Sequence, residues 1–141
     1  MAKDSKKVYI APSVFTAFIN RADPKHAQAS AFFRYFAQEN YKLYSDFLDI
    51  HETARKIHRE ISPSLSRDFL RTIFFSNINI IYPQESDIKG ALKTLVNYQS
   101  VDLTFEKALM ATLANKASIP QICTFEYMPS LFGLNTFYLP L

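Results

Sequence analysis

Apolar residues occur along this chain in two rhythms: short solid runs, and longer stretches at helical spacing. Val8, Tyr9 and Ile10 make a β-branched and aromatic run, the composition of a buried strand. Pro12 stops it and pre-sets the first turn of a helix, where a missing N–H costs nothing. Val14, Phe15, Phe18 and Ile19 then repeat at helical spacing. A turn at 20–24 leads into a second helix from Pro24 to about Gln38, with Asp23 as its cap and Ala27, Ala31, Phe32, Tyr35 and Phe36 as its apolar stripe. Lys42 to Ser45 reads as a strand, and Ser45 or Asp46 caps a helix to about Glu60 packed through Phe47, Leu48, Ile50, Ala54 and Ile57. Ser62-Pro63 opens a helix to about Phe75 with Leu65, Phe69, Leu70, Ile73 and Phe74 apolar, and Ile78 to Tyr82 is the next strand. Ser86 or Asp87 caps a helix to about Asn97 that contains Gly90; a further helix spans Phe105 to Lys116. Ile119 to Thr124 is a strand, Gly133 a turn, and Phe137 to Leu139 an edge strand.

Short strands separated by helical runs predict an α/β fold: a three-layer α/β/α sandwich around a four- to five-stranded, mainly parallel sheet. The crossovers should be right-handed, and the turns after the first, second and fourth strands should converge on one crevice at the strand ends.

Composition narrows this picture in a few places. At 141 residues and 48% hydrophobic, the chain suits one domain, 8–141, behind a flexible polar tail, 1–7. The net charge of +3 permits an acidic partner such as RNA. The single cysteine, Cys123, lies in an apolar strand and suits a buried, inert thiol in a reducing cytoplasm. No run approaches the roughly 18 apolar residues of a membrane span. With only Gly90 and Gly133, no glycine-rich phosphate loop is available.

Five stretches, in order, resemble the PIN-domain family, which includes the VapC toxins and PilT N-terminus-like proteins. They are Val8-Tyr9-Ile10-Ala11-Pro12-Ser13-Val14-Phe15, Asp23-Pro24-Lys25-His26-Ala27-Gln28-Ala29, Tyr44-Ser45-Asp46 followed by Glu52, Leu103-Thr104-Phe105-Glu106-Lys107-Ala108-Leu109, and Ile119-Pro120-Gln121-Ile122-Cys123-Thr124-Phe125-Glu126. The resemblance implies a PIN-like fold and metal-dependent RNA cleavage, in which carboxylates at the strand ends hold Mg²⁺ or Mn²⁺ to activate water. Hard divalent ions need anionic oxygens. Here the first aspartate of the pattern is Ala11, the glutamate is kept as Glu52, the next aspartate falls on Lys107, and the last is Glu126. Ser13 matches a serine expected to orient a carboxylate. A one-residue shift would bring in Glu106 instead of Lys107, though the run down to Ile119-Pro120 fits best with Lys107. Adjacent helical residues point about 100° apart, so only one of the two is expected to face the site.

The expectation is therefore a silenced centre, with the Lys107 ammonium standing in for the metal between Glu52 and Glu126 and no cofactor required. Such a protein would act by binding RNA or an antitoxin-like protein. The alternative is an active Mg²⁺- or Mn²⁺-dependent endoribonuclease that uses Glu52 and Glu126 with Glu106 or Asp102; a structural subunit without nucleic acid is a third reading. Arg55, Lys56 and Arg59 share a helix face with Glu52 and read either as a lane for RNA phosphates or as a solvated face with a Glu52–Lys56 pair. His51 and His58 lack the third ligand a zinc site needs. The stripe Phe69, Leu70, Ile73 and Phe74 is the expected surface of a homodimer, and the aromatic runs Phe32-Phe33, Tyr35-Phe36 and Phe74-Phe75 read as core, oligomer contact or base-stacking rings.

Overall fold

The computed structural model describes residues 6–98 and 102–140. Among them the order is β1 (Lys7–Ile10), α1 (Pro12–Ile19), α2 (His26–Gln38), β2 (Lys42–Asp46), α3 (Phe47–Glu60), α4 (Pro63–Phe74), β3 (Asn79–Ile81), α5 (Glu85–Asn97), α6 (Phe105–Lys116), β4 (Gln121–Cys123) and β5 (Asn135–Thr136). The strands form one sheet in the order β3-β2-β1-β4-β5, with every neighbouring pair parallel. The expected three-layer α/β architecture is the observed one.

β1 is central, and its pleat divides the core. Val8 and Ile10 enter a cluster with Val14 and Phe15 of α1, Phe32 and Phe36 of α2, Ile50 and Ile57 of α3, and Phe69 and Ile73 of α4. Tyr9 and Ala11 enter the opposite cluster with Leu109 and Leu113 of α6 and Ile122 of β4. Each fully buried aliphatic side chain contributes about 2 kcal/mol, so β1 is held from both faces. Cys123 is buried in the first cluster, where desolvation pushes its thiol well up; it is an inert core group.

Several element ends differ from the sequence expectation. β1 begins at Lys7, inside the span read as a tail; its ammonium donates to Ala117 O at 2.9 Å. Residues 1–5 of that tail lie outside the described residues. α2 begins at His26, because Asp23 first closes a turn: its Oδ1 accepts from Lys25 N at 2.8 Å and its carbonyl from His26 N at 3.0 Å. Asp46, of the two candidates, caps α3, with Oδ1 accepting from Asp49 N at 2.8 Å. Neither Ser86 nor Asp87 caps α5; Gln84 does, with Asp87 as the reciprocal partner of a capping box. β5 lies at Asn135–Thr136, earlier than 137–139. Phe137 still donates its N–H to Ile122 O at 2.7 Å, but its ring packs 4.9 Å from that of Phe36 and the chain leaves the sheet there.

Phe32, Tyr35 and Phe36 belong to this aromatic cluster with Tyr41 and Phe137. Of the α4 stripe, Phe69 and Ile73 are buried in the core, Leu70 is half-buried and Phe74 is exposed. Among the described residues no helix is long and apolar enough to cross a membrane.

One core atom is out of place. Ser45 is fully buried on β2, and its Oγ is the buried side-chain polar atom with no hydrogen-bond partner among the described residues. A buried orphan hydroxyl carries an uncompensated desolvation cost. Ser45→Ala is expected to stabilise the fold by about 1 kcal/mol, read as a higher urea midpoint at unchanged slope.

Candidate functional site

The carboxyl ends of β1, β2 and β4 open into the expected crevice. Its walls come from the β1–α1 turn, the first two turns of α3, the start of α6 and the loop after β4, enclosing about 330 Å³ lined by Ala11, Ser13, Asp49, Glu52, Glu106, Lys107, Glu126, Met110, Ile122 and Met128 among others. A second cleft of about 470 Å³ adjoins it, lined by Lys25, Lys56, Arg59, Asp23 and Phe125, with Ser13, Glu52 and Glu126 common to both.

Ala11 is the N-cap of α1: its carbonyl accepts from Val14 N, but it has no side chain to cap the helix and no ligand atom. It is 5% exposed and forms apolar floor. Ser13 does not orient a carboxylate. Its Oγ accepts from Phe125 N at 3.0 Å and lies 3.3 Å from Thr124 Oγ1, which in turn accepts from Glu126 N at 3.0 Å. Ser13 therefore pins the loop that carries Glu126. Glu52 is exposed and pairs with Arg55 at 3.4 Å, not with Lys56.

Lys107 faces the crevice yet does not bridge Glu52 and Glu126. Its ammonium donates to Tyr127 O at 2.8 Å and to Asp102 O at 3.3 Å, and it makes no ion pair among the described residues. The Asp102 carbonyl before α6 and the Tyr127 carbonyl after β4 hold the ammonium without drawing the two glutamates together. Nor are Glu106 and Lys107 alternatives. Both line the crevice, which the N-cap Thr104 and the first turn of α6 border together. Asp102 is not among the lining residues; its carbonyl accepts from the Lys107 ammonium.

The motif resemblance does not reveal a buried group beneath the crevice, of which Asp49 alone reaches the lining. The Tyr9 hydroxyl, fully buried, lies 2.6 Å from Asp46 Oδ2 and 2.7 Å from Asp49 Oδ2, and accepts from Asp46 N at 3.2 Å. Asp46 and Asp49 are 1% and 4% exposed, so two carboxyls share one dry site. One hydroxyl hydrogen cannot serve both oxygens. The second contact needs a proton of its own, and Asp49 supplies it. Burial above all, then the adjacent Asp46 carboxylate, and further Glu106 and Glu52, push its pKa up to about 8, against the lowering effect of the Tyr9 bond. Asp46 is raised too, by burial, while bonds from Tyr9 and from backbone N–H groups oppose the shift. The Tyr9 phenol is pushed well up by burial and by both aspartates. At neutral pH the arrangement is thus Asp49–H to Tyr9 and Tyr9–H to Asp46⁻. The available signal was spacing: Asp46, Asp49 and Glu52 recur every third residue along one side of α3.

Four carboxyl groups, those of Asp49, Glu52, Glu106 and Glu126, line the crevice. Among the described residues, no three His, Cys, Asp or Glu side chains are placed to hold a metal ion. Ala11 supplies no side-chain oxygen, and Asp49 Oδ2 is engaged by the Tyr9 hydroxyl.

No protein-family model and no curated protein matches this chain in sequence. Among solved structures it is similar to the crystal structure of Mycobacterium tuberculosis VapC20, described as a sarcin–ricin loop cleaving toxin. The match has a TM-score of 0.75 over 84% of this chain and 89% of that one, at 17% sequence identity. That likeness shows the fold: the chain shares its α/β architecture with that structure.

Proposed function

We propose that this is a PIN-fold protein of ribonuclease ancestry whose metal centre is lost, and that it acts by binding RNA on the basic side of its crevice. The observation that supports the reading is Ala11, which brings no ligand atom to the crevice floor, together with the Tyr9–Asp46–Asp49 network that engages Asp49. A crevice of this kind binds Mg²⁺ or Mn²⁺ poorly and leaves no metal-bound water to attack a phosphodiester. What supports RNA is the adjoining cleft: Lys56 and Arg59 of α3 face Lys25 across it, and Lys25 lies 4.9 Å over the Phe125 ring. These cations flank the entrance to the crevice, where a phosphate backbone would pass.

The test pairs metal titration with RNA binding. Calorimetry with Mn²⁺ is expected to show no micromolar site, and a stem-loop of the kind VapC20 is described as cleaving is expected to stay intact in Mg²⁺ and Mn²⁺. Anisotropy with single-stranded RNA is expected to show binding that weakens with salt at a log–log slope of about −2, the value for roughly three phosphate contacts. Micromolar Mn²⁺ binding that Glu52→Gln abolishes, together with RNA cleavage, would overturn the silenced centre. It would establish the active endoribonuclease built on Glu52, Glu106 and Glu126, a reading favoured by the presence of all three around one crevice. Salt-independent or absent RNA binding would shift the role to an antitoxin-like protein partner.

A further inference from the structure

The side of α3 that faces α4 carries another cleft, of about 470 Å³, whose polar lining is His51, Arg55, His58, Arg59 and Ser66, with no carboxylate among its lining residues. All four basic side chains are exposed. Arg55 reaches Glu52 at 3.4 Å, while His58 and Arg59 make no ion pair among the described residues. The row is rigid: α3 is regular throughout, and Ser66 Oγ donates to Ala54 O at 2.7 Å, clamping α4 to it. From His51 to His58 the helix rises about 10 Å. Arg59 also lines the cleft beside the crevice, so the two cationic surfaces are continuous through that residue.

At the His51 end stands a ladder of rings. Phe47 stacks on His51 with centroids 6.5 Å apart and planes at 23°, and Tyr82 stacks on Phe47 at 5.6 Å and 24°. Phe47 is 43% exposed and Tyr82 61% exposed. The large aromatic rings of α2 are gathered into the core, whereas these stand in water side by side. A cationic groove that ends on parallel exposed rings is the combination that holds single-stranded nucleic acid, with phosphates on the cations and bases on the rings.

We propose that the α3–α4 face is a single-stranded RNA track, in which Arg55, His58 and Arg59 hold the backbone and the Tyr82–Phe47–His51 ladder stacks the bases. It rests on the RNA-binding reading above and extends it from the crevice entrance over the outer side of α3. The strand would turn around α3 at Arg59, so that one end approaches the crevice and the other runs toward Tyr82. Stacking on an exposed ladder is tolerant of sequence, because every base has a π-face. The track therefore supplies affinity, and any selectivity belongs to the crevice end.

The test is fluorescence anisotropy of the full chain with a labelled oligoadenylate of about ten nucleotides, spanning one binding site of this type. Tyr82→Ala is expected to weaken binding about tenfold through lost stacking. The double variant Arg55→Ala/His58→Ala is expected to lower the magnitude of the salt slope by about 1. With an abasic ribose-phosphate oligomer the wild type is expected to bind weakly, and Tyr82→Ala to lose nothing further. All three positions are exposed, and near-UV dichroism checks that the variants fold. The track is overturned if Tyr82→Ala binds oligoadenylate as the wild type does, or if its loss is the same on the abasic oligomer. If Lys56→Ala weakens binding while Tyr82→Ala does not, the crevice-side RNA reading stands and the track alone falls. A wild type with no affinity for the oligomer at low salt overturns both.

Discussion

Phenylalanine in place of Tyr9 is expected to lower stability by about 3 kcal/mol at pH 7, because it strips a buried carboxylate of its donor and a buried carboxylic acid of its acceptor. The same network gives the protein an unusual pH profile. Asp49 titrates near 8 in the folded chain and near 4 when unfolded. Between those values the native state holds a proton that the unfolded chain has released. The contribution of this group to stability is then full below about pH 4, falls as pH rises, and is gone once pH passes 8, at up to about 1.4 kcal/mol per unit. The direction is opposite to ordinary acid denaturation, in which paired carboxylates lose their partners on protonation. Asp49→Asn keeps a donor toward the Tyr9 oxygen, which leaves the Tyr9 hydrogen for Asp46, but cannot ionise. It is expected to match the wild type near pH 4 and to exceed it by about 2 kcal/mol or more at pH 8.5. Urea unfolding across that range reads both variants. A Tyr9→Phe protein as stable as the wild type, or parallel pH profiles for Asp49→Asn and wild type, would refute the shared-proton arrangement.

Where local chemistry decides an element, the chain can be read. Thr104 caps α6 through Lys107 N, and the helix occupies Phe105–Lys116 as its apolar spacing predicts. Ser62 and Pro63 set the start of α4 in the same way. Where tertiary contacts decide, it cannot. Phe137 is apolar enough for a strand, yet a cage of rings on α2 takes its side chain and ends β5 early. Tyr9 reads as one more core hydrophobe, since nothing in Val-Tyr-Ile says that a hydroxyl will meet carboxyls from residues 37 and 40 positions away. Phe47 and His51 each look ordinary, as a packing residue and a surface residue; only the return of the chain through β3 puts Tyr82 against them. Motif spacing located Ala11, Glu52 and Glu126 around one crevice. It said nothing of where the Lys107 ammonium goes, which depends on the carbonyls of Asp102 and Tyr127.

On the proposed reading of a lost metal centre, Ala11 is the missing donor. Lys107 is anchored on Tyr127 O and leaves the crevice volume open, so it is no obstacle to an ion. Ala11→Asp should then behave as a conditional change. As an N-cap of α1, a carboxylate gains about 1 kcal/mol over alanine. Against that, it enters a nearly closed floor facing Glu52, Glu106 and Glu126, where like charges repel and desolvation is costly. Without a divalent cation the variant is expected to be less stable than the wild type by about 1–2 kcal/mol. With Mn²⁺ at roughly a hundredfold over its dissociation constant, binding to the native state returns about 2.7 kcal/mol, a rise in melting temperature on the order of 8 °C. The wild type is expected to move by less than about 1 °C. Ala11→Asn separates the two effects, since it caps the helix without charge and should raise stability equally with and without Mn²⁺. Recovery of RNA cleavage by Ala11→Asp in Mn²⁺ alone would be the strongest outcome. A melting temperature that Mn²⁺ leaves unmoved in that variant would mean that the Tyr9–Asp46–Asp49 network, not the alanine, keeps the ion out.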